Sequence, residues 1–112
     1  MFKLTKSPTF WMTVAGDEQT ESGRRVEFKF ELKVKRITFP ELSDLLRAAA
    51  DEGRSDFEAI KDLVLDWRGI GNDDGEPLAY SPEALQDLMA VIGGAPVIRA
   101  LIKAMPKAKE KN

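Results

Sequence analysis

Val26-Glu27-Phe28-Lys29-Phe30-Glu31-Leu32-Lys33-Val34-Lys35-Arg36-Ile37-Thr38-Phe39-Pro40-Glu41-Leu42 contains the change of period that decides the fold. From Val26 to Lys35 apolar and charged residues alternate without an error, which predicts a strand with one buried and one wet face. The period then lengthens. Thr38 and Glu41 have capping-box spacing, and Ile37 and Leu42 have the spacing of a hydrophobic staple, so a helix starts here. Upstream, Phe10, Met12 and Val14 share one side of a β-rich run over residues 9–15, the natural antiparallel partner. The intervening residues 16–23 are too many for a tight turn and predict a mobile, charged loop. An isolated hairpin is marginal, so helices or another chain must cover its apolar face.

Downstream the pattern is helical. A first helix carries Leu42, Leu45, Leu46 and Ala49 and ends at Gly53. Ser55 and Glu58 open a second, whose stripe Phe57, Ile60, Leu63, Val64 and Trp67 runs to a stop at Trp67-Arg68-Gly69. Asn72-Asp73-Asp74-Gly75 is turn composition, with a tight exposed bend expected at Asp74-Gly75. Pro77 keeps the exit extended, and Ser81-Pro82 starts a third helix carrying Leu85, Leu88, Met89 and Ile92. Gly93-Gly94 breaks it. A fourth helix begins near Pro96 with Val97, Ile98, Leu101, Ile102 and Met105, and Pro106 closes it. The expectation is an α+β fold, an N-terminal antiparallel β-hairpin followed by about four short α-helices. Residues 1–106 form one domain (hairpin 9–36, helices 38–105), and 107–112 are a disordered basic tail.

Composition narrows the chemistry. The 112 residues include no cysteine and no histidine, so disulfides, thiolate nucleophiles and the commonest general base and metal ligand are missing. An enzyme is not expected, nor a metal or cofactor. No run approaches the roughly 18 apolar residues of a membrane span, and the N-terminus lacks the apolar run of a secretion signal, so a soluble intracellular protein is expected. The net charge of -2 conceals a division. Residues 1–40 carry 8 basic and 5 acidic groups, 41–96 carry 4 and 13, and 97–112 carry 5 and 1. An acidic body is a poor surface for a phosphate backbone.

Several groupings have both a functional and a plain structural reading. Glu58, Asp62 and Asp66 fall at successive i, i+4 spacings, one stripe of the expected second helix. They read as a solvated face, as a docking face for a basic partner, or as a cation site for which no further ligand at metal spacing is present. A calcium loop around Gly75 fails, because Ile70 and Ser81 would occupy ligand positions. Trp67 ends an apolar stripe and should pack in the core, with Arg68 clamping the helix end or pairing with Asp66. Trp11 faces away from Phe10, Met12 and Val14; core packing and partner contact both stand for it. Lys29, Lys33, Lys35 and Arg36, with Arg24 and Arg25, mark the wet strand face, but Glu27 and Glu31 interrupt it and edge lysines also block aggregation, so nucleic acid is not expected. The candidate partner-binding residues are therefore Trp11, Lys29, Lys33, Lys35, Arg36, Glu58, Asp62 and Asp66.

With these residues laid out, the chain resembles the tail assembly chaperones of long-tailed bacteriophages and prophages. The resemblance rests on Phe2-Lys3-Leu4, Phe10-Trp11, Lys35-Arg36, Leu42-Leu45-Leu46, and the cassette Trp67-Arg68-Gly69, Asp74-Gly75-Glu76-Pro77-Leu78, Tyr80-Ser81, Leu85-Leu88. Trp67, Arg68, Gly69, Asp74, Gly75 and Ser81 are its fingerprint. It departs from the pattern at Ala104-Met105-Pro106 and the Lys-rich tail, where the family has a longer aromatic-containing helix. The resemblance implies a non-enzymatic protein of the bacterial host cytoplasm that coats the tape measure protein, recruits tail tube subunits and is absent from the mature virion. It also implies a longer form made by a minus-one frameshift. Were Glu110-Lys111-Asn112 encoded GAA-AAA-AAC, the message would hold the slippery heptamer A-AAA-AAC. The alternatives are a minor structural tail protein and a small prophage-encoded regulatory or nucleic-acid-binding protein. Self-association is left open.

Overall fold

The computed structural model describes residues 8–19 and 21–105. The expected tail at 107–112, the slippery-codon segment and the Phe2-Lys3-Leu4 start lie outside the described residues. The architecture is α+β. β1 (Thr9–Gln19) and β2 (Arg25–Lys35) form an antiparallel hairpin, joined by a third strand, β3 (Val64–Arg68), in the order β1-β2-β3. Helices α1 (Phe39–Asp51), α2 (Asp56–Ile60), α3 (Pro82–Ile92) and α4 (Ala95–Ala104) cover the sheet.

The hairpin register puts Phe10 opposite Val34, Met12 opposite Leu32 and Val14 opposite Phe30. Because side chains alternate across a sheet, these pairs share the inner face. Val14, Leu32 and Val34 are fully buried there, joined by Leu42 of α1, Ile60 of α2, Leu85 of α3, and Val97 and Leu101 of α4 in one apolar cluster. Each buried Leu or Val contributes about 1.5–3 kcal/mol relative to an exposed one. α4 packs against β1, and α2 bridges α1 and α3.

Local chemistry sets the boundaries. Thr38 caps α1 in a complete capping box: its Oγ1 accepts from Glu41 N–H at 3.3 Å, and its own N–H donates to Glu41 Oε1 at 2.8 Å. Ser55 caps α2 by accepting from Glu58 N–H, and Ser81 caps α3 by accepting from Ala84 N–H. The break between α3 and α4 falls at Gly93-Gly94, where the two helices bend by 108°. Among the described residues, no single helix is long and apolar enough to cross a membrane.

Two expectations need correction. The first half of the charged loop expected at 16–23 is strand, since pairing continues to Gln19 opposite Arg25. The Phe28 ring lies over Gly16, where a Cβ would come within 2.8 Å of it, and Asp17 forms a 2.8 Å ion pair with Arg25. An aromatic covering a strand glycine and a cross-strand ion pair hold the ladder together beyond the core.

The second helix is also far shorter than its stripe suggests. It ends at Ile60, passes through a 3₁₀ turn (Lys61–Leu63), and the chain then pairs with β2 as β3. Asp66 lies opposite Lys33 and Val64 opposite Val34, leaving Leu65 as the extra residue of a bulge. That bulge lets Val64 and Trp67, three residues apart, both face the core, while Leu65 is 39% exposed. A helical turn, a 3₁₀ turn and a bulged strand all yield an apolar spacing of three. The strand prevails because β2 would otherwise leave its second edge unpaired beside the core, and Val and Trp suit a pleated surface.

Candidate docking surface

The cassette after β3 is a miniature hairpin. Gly69, at φ +86°, turns the chain out of the strand in a conformation only glycine adopts freely. Leu78 N–H then donates to the Ile70 carbonyl at 2.9 Å, Gly71 bridges to Pro77, and Asn72 N–H donates to the Glu76 carbonyl at 2.9 Å. The tip closes through Gly75 N–H to the Asn72 carbonyl, and the Asn72 Oδ1 accepts from the Asp74 and Glu76 amides. The bend at Asp74-Gly75 is exposed, as its composition predicts.

Two aromatic residues tie this hairpin to β3. Trp67 Nε1 donates to the Leu78 carbonyl at 2.7 Å, and the Tyr80 hydroxyl donates to the Val64 carbonyl at 3.2 Å. Their rings meet edge to face with centroids 5.3 Å apart. Burial, more than the neighbouring Asp66 and Glu83 carboxylates, pushes the Tyr80 phenol above its ordinary range.

The fixed hairpin forms one wall of a shallow groove of about 430 Å³. Ile70 and Leu78 stand on the hairpin side; Ala84, Leu88 and Val91 stand on the α3 side; Glu83 and Asp87 stand among them on α3. Leu78 is 40% and Val91 62% exposed. Neither Leu78, Glu83, Asp87 nor Val91 was among the expected binding residues. The signal for the α3 wall was an i, i+4 offset: Glu83 and Asp87 beside Ala84, Leu88 and Val91 make a mixed acidic and apolar face next to the buried Leu85–Met89 stripe.

The residues that were expected to bind are divided among other surfaces. Trp11 is half-buried on the outer face of the sheet, with the Arg68 guanidinium 4.0 Å above its ring centroid. Arg68 Nε also donates to Glu31 Oε1, and this hydrogen bond holds the Glu31 carboxyl below its ordinary range. Arg68 therefore neither clamps a helix end nor pairs with Asp66, because it sits on a strand opposite Glu31. Lys29, Lys33 and Lys35 share that outer face, where Glu31 falls between Lys29 and Lys33 and Asp66 lies opposite Lys33. Arg36 covers the Phe10 ring at 4.7 Å.

The stripe of Glu58, Asp62 and Asp66 does not exist as a helical face. Glu58 is in α2 and pairs with Lys61 at 3.3 Å, Asp62 is in the 3₁₀ turn, and Asp66 is in β3, where its Oδ1 accepts from Trp67 N–H. Among the described residues no cluster of three carboxylates is arranged to hold a metal ion. Trp67 is buried, at 5% exposure, as its place in the apolar pattern predicted. Comparison of the chain with protein-family models, curated proteins and solved structures gives no match.

Proposed function

We propose that this protein is a phage tail assembly chaperone, which binds the tape measure protein in the host cytoplasm, recruits tail tube subunits and is left out of the finished virion. The reading rests on the order and spacing of the cassette from Trp67 to Ser81. What supports a binding role for that cassette is its construction: Trp67 and Tyr80 fix it rigidly, and its outer side offers Ile70 and Leu78 to a groove. A preformed apolar surface suits protein contact, because little ordering entropy remains to be lost when a partner binds.

The test is co-expression with the large coiled-coil-rich reading frame expected just downstream of this gene. The account predicts that the product of that frame stays soluble only when this chain is present, and that purified particles lack the chain. Its presence as a stoichiometric component of particles would instead establish the minor structural tail protein. DNA binding with a steep salt dependence would establish the regulatory alternative.

A further inference from the structure

We infer that the groove between the 70–78 hairpin and α3 is the client site, and that it takes an amphipathic helix whose apolar stripe is flanked by lysine or arginine. The inference rests on the chaperone reading for the identity of the client, but the chemistry of the groove stands by itself. Both walls carry apolar side chains, and Val91 at 62% exposed is the most exposed of the large hydrophobic residues among those described. With Leu78, 40% exposed, across from it in the same groove, it leaves apolar surface open to a partner.

Charge selects among the partners that could fill it. From Gly69 through Ile98 there is no lysine or arginine, while Asp73, Asp74, Glu76, Glu83 and Asp87 all carry negative charge. Glu83 and Asp87 stand in the groove itself, one helical turn apart, and neither forms an ion pair with another described residue. A partner bearing acidic flanks would meet repulsion from Glu83 and Asp87 in the groove; a basic one gains attraction and faster encounter. The apolar contacts of a helix recur at i, i+3, i+4 and i+7, which matches the parallel run of Ala84, Leu88 and Val91 along α3.

The outer sheet face is a weaker candidate for the same partner. Lys29, Lys33 and Lys35 on that face would repel a lysine-flanked partner, and Arg68, paired with Glu31, covers the Trp11 ring. Binding at Trp11 would have to displace Arg68 from its ring.

Two fluorescent 18-residue helical peptides with the same leucine stripe, one flanked by lysines and one by glutamates, test the inference by anisotropy against the full chain. The lysine peptide should bind at least tenfold more tightly. The Glu83→Lys/Asp87→Lys variant should reverse that order, and Val91→Ser should weaken binding of the lysine peptide several-fold; circular dichroism establishes that each variant is folded. Glu83→Gln/Asp87→Asn guards against a folding defect in the charge-reversed chain and should remove the preference without reversing it. Equal affinity for the two peptides, or unchanged binding by the folded variants, overturns the inference. The two layers separate cleanly. If these variants still solubilise the downstream product, the groove assignment falls and the chaperone reading stands; if the groove prefers the lysine peptide but that product is not solubilised, the chaperone reading falls.

Discussion

Trp67 Nε1 donates a 2.7 Å hydrogen bond to the carbonyl of Leu78, eleven residues further along the chain. This bond joins the floor of the sheet to the exposed wall of the groove, so a buried core residue sets the position of a surface one. Trp67→Phe keeps most of the apolar contact but leaves the Leu78 carbonyl without this donor. The expected loss is about 1–3 kcal/mol in urea unfolding. Trp67→Ala adds a cavity and should cost about 3–5 kcal/mol. Tyr80→Phe, which removes only the longer bond to Val64, should cost less than Trp67→Phe.

The bulge in β3 predicts opposite tolerances at adjacent positions. Leu65 is the unpaired, exposed residue and Val64 is buried. Leu65→Glu should change stability by no more than about 0.5 kcal/mol. Val64→Ala should cost about 1–3 kcal/mol. Comparable costs at the two sites would mean that the bulge is wrongly placed.

Gly94 needs space and not a special backbone angle. Its φ is -78°, open to any residue, but a Cβ there would lie 2.8 Å from the Asp56 Cβ. Gly94→Ala should therefore push α2 and α4 apart at a cost of about 1–3 kcal/mol. In an Asp56→Ala background the same change should cost distinctly less, and a double-mutant cycle in denaturant measures the difference. Strict additivity would exclude the contact.

Glu31 gives the sheet a pH dependence of known sign. The hydrogen bond from Arg68 lowers its folded-state pKa, so its contribution is complete above the unfolded value and is lost as pH falls through the folded one. Thermal unfolding of wild type and Glu31→Gln should accordingly differ at neutral pH and converge in acid below the ordinary carboxylate range. A difference that grows on acidification would contradict the pairing.

The sequence made the hairpin legible because β2 alternates for ten residues and nothing competes with that pattern. The three side-chain caps at Thr38, Ser55 and Ser81 were legible for the same reason: each rests on contacts within four residues. β3 was not, since an apolar spacing of three is shared by a helix and a bulged strand, and only pairing with β2 distinguishes them. The error carried into the site. Placing Asp66 on a helix built an acidic stripe that the fold takes apart, and Arg68, expected at a helix end, instead spans Glu31 and Trp11. The groove escaped notice because its two walls, at Leu78 and Val91, belong to different elements, the 70–78 hairpin and α3, and face each other across the groove in the folded chain.

The central claim is that the client enters between the 70–78 hairpin and α3. Its most direct test is titration of the isotopically labelled chain with the lysine-flanked peptide, following backbone amide shifts by NMR. The account predicts that the largest changes fall at Ile70, Leu78, Leu88 and Val91, with the amides of β1 unmoved. Shifts centred instead on Trp11, Lys33 and Arg68, with the groove silent, would contradict it.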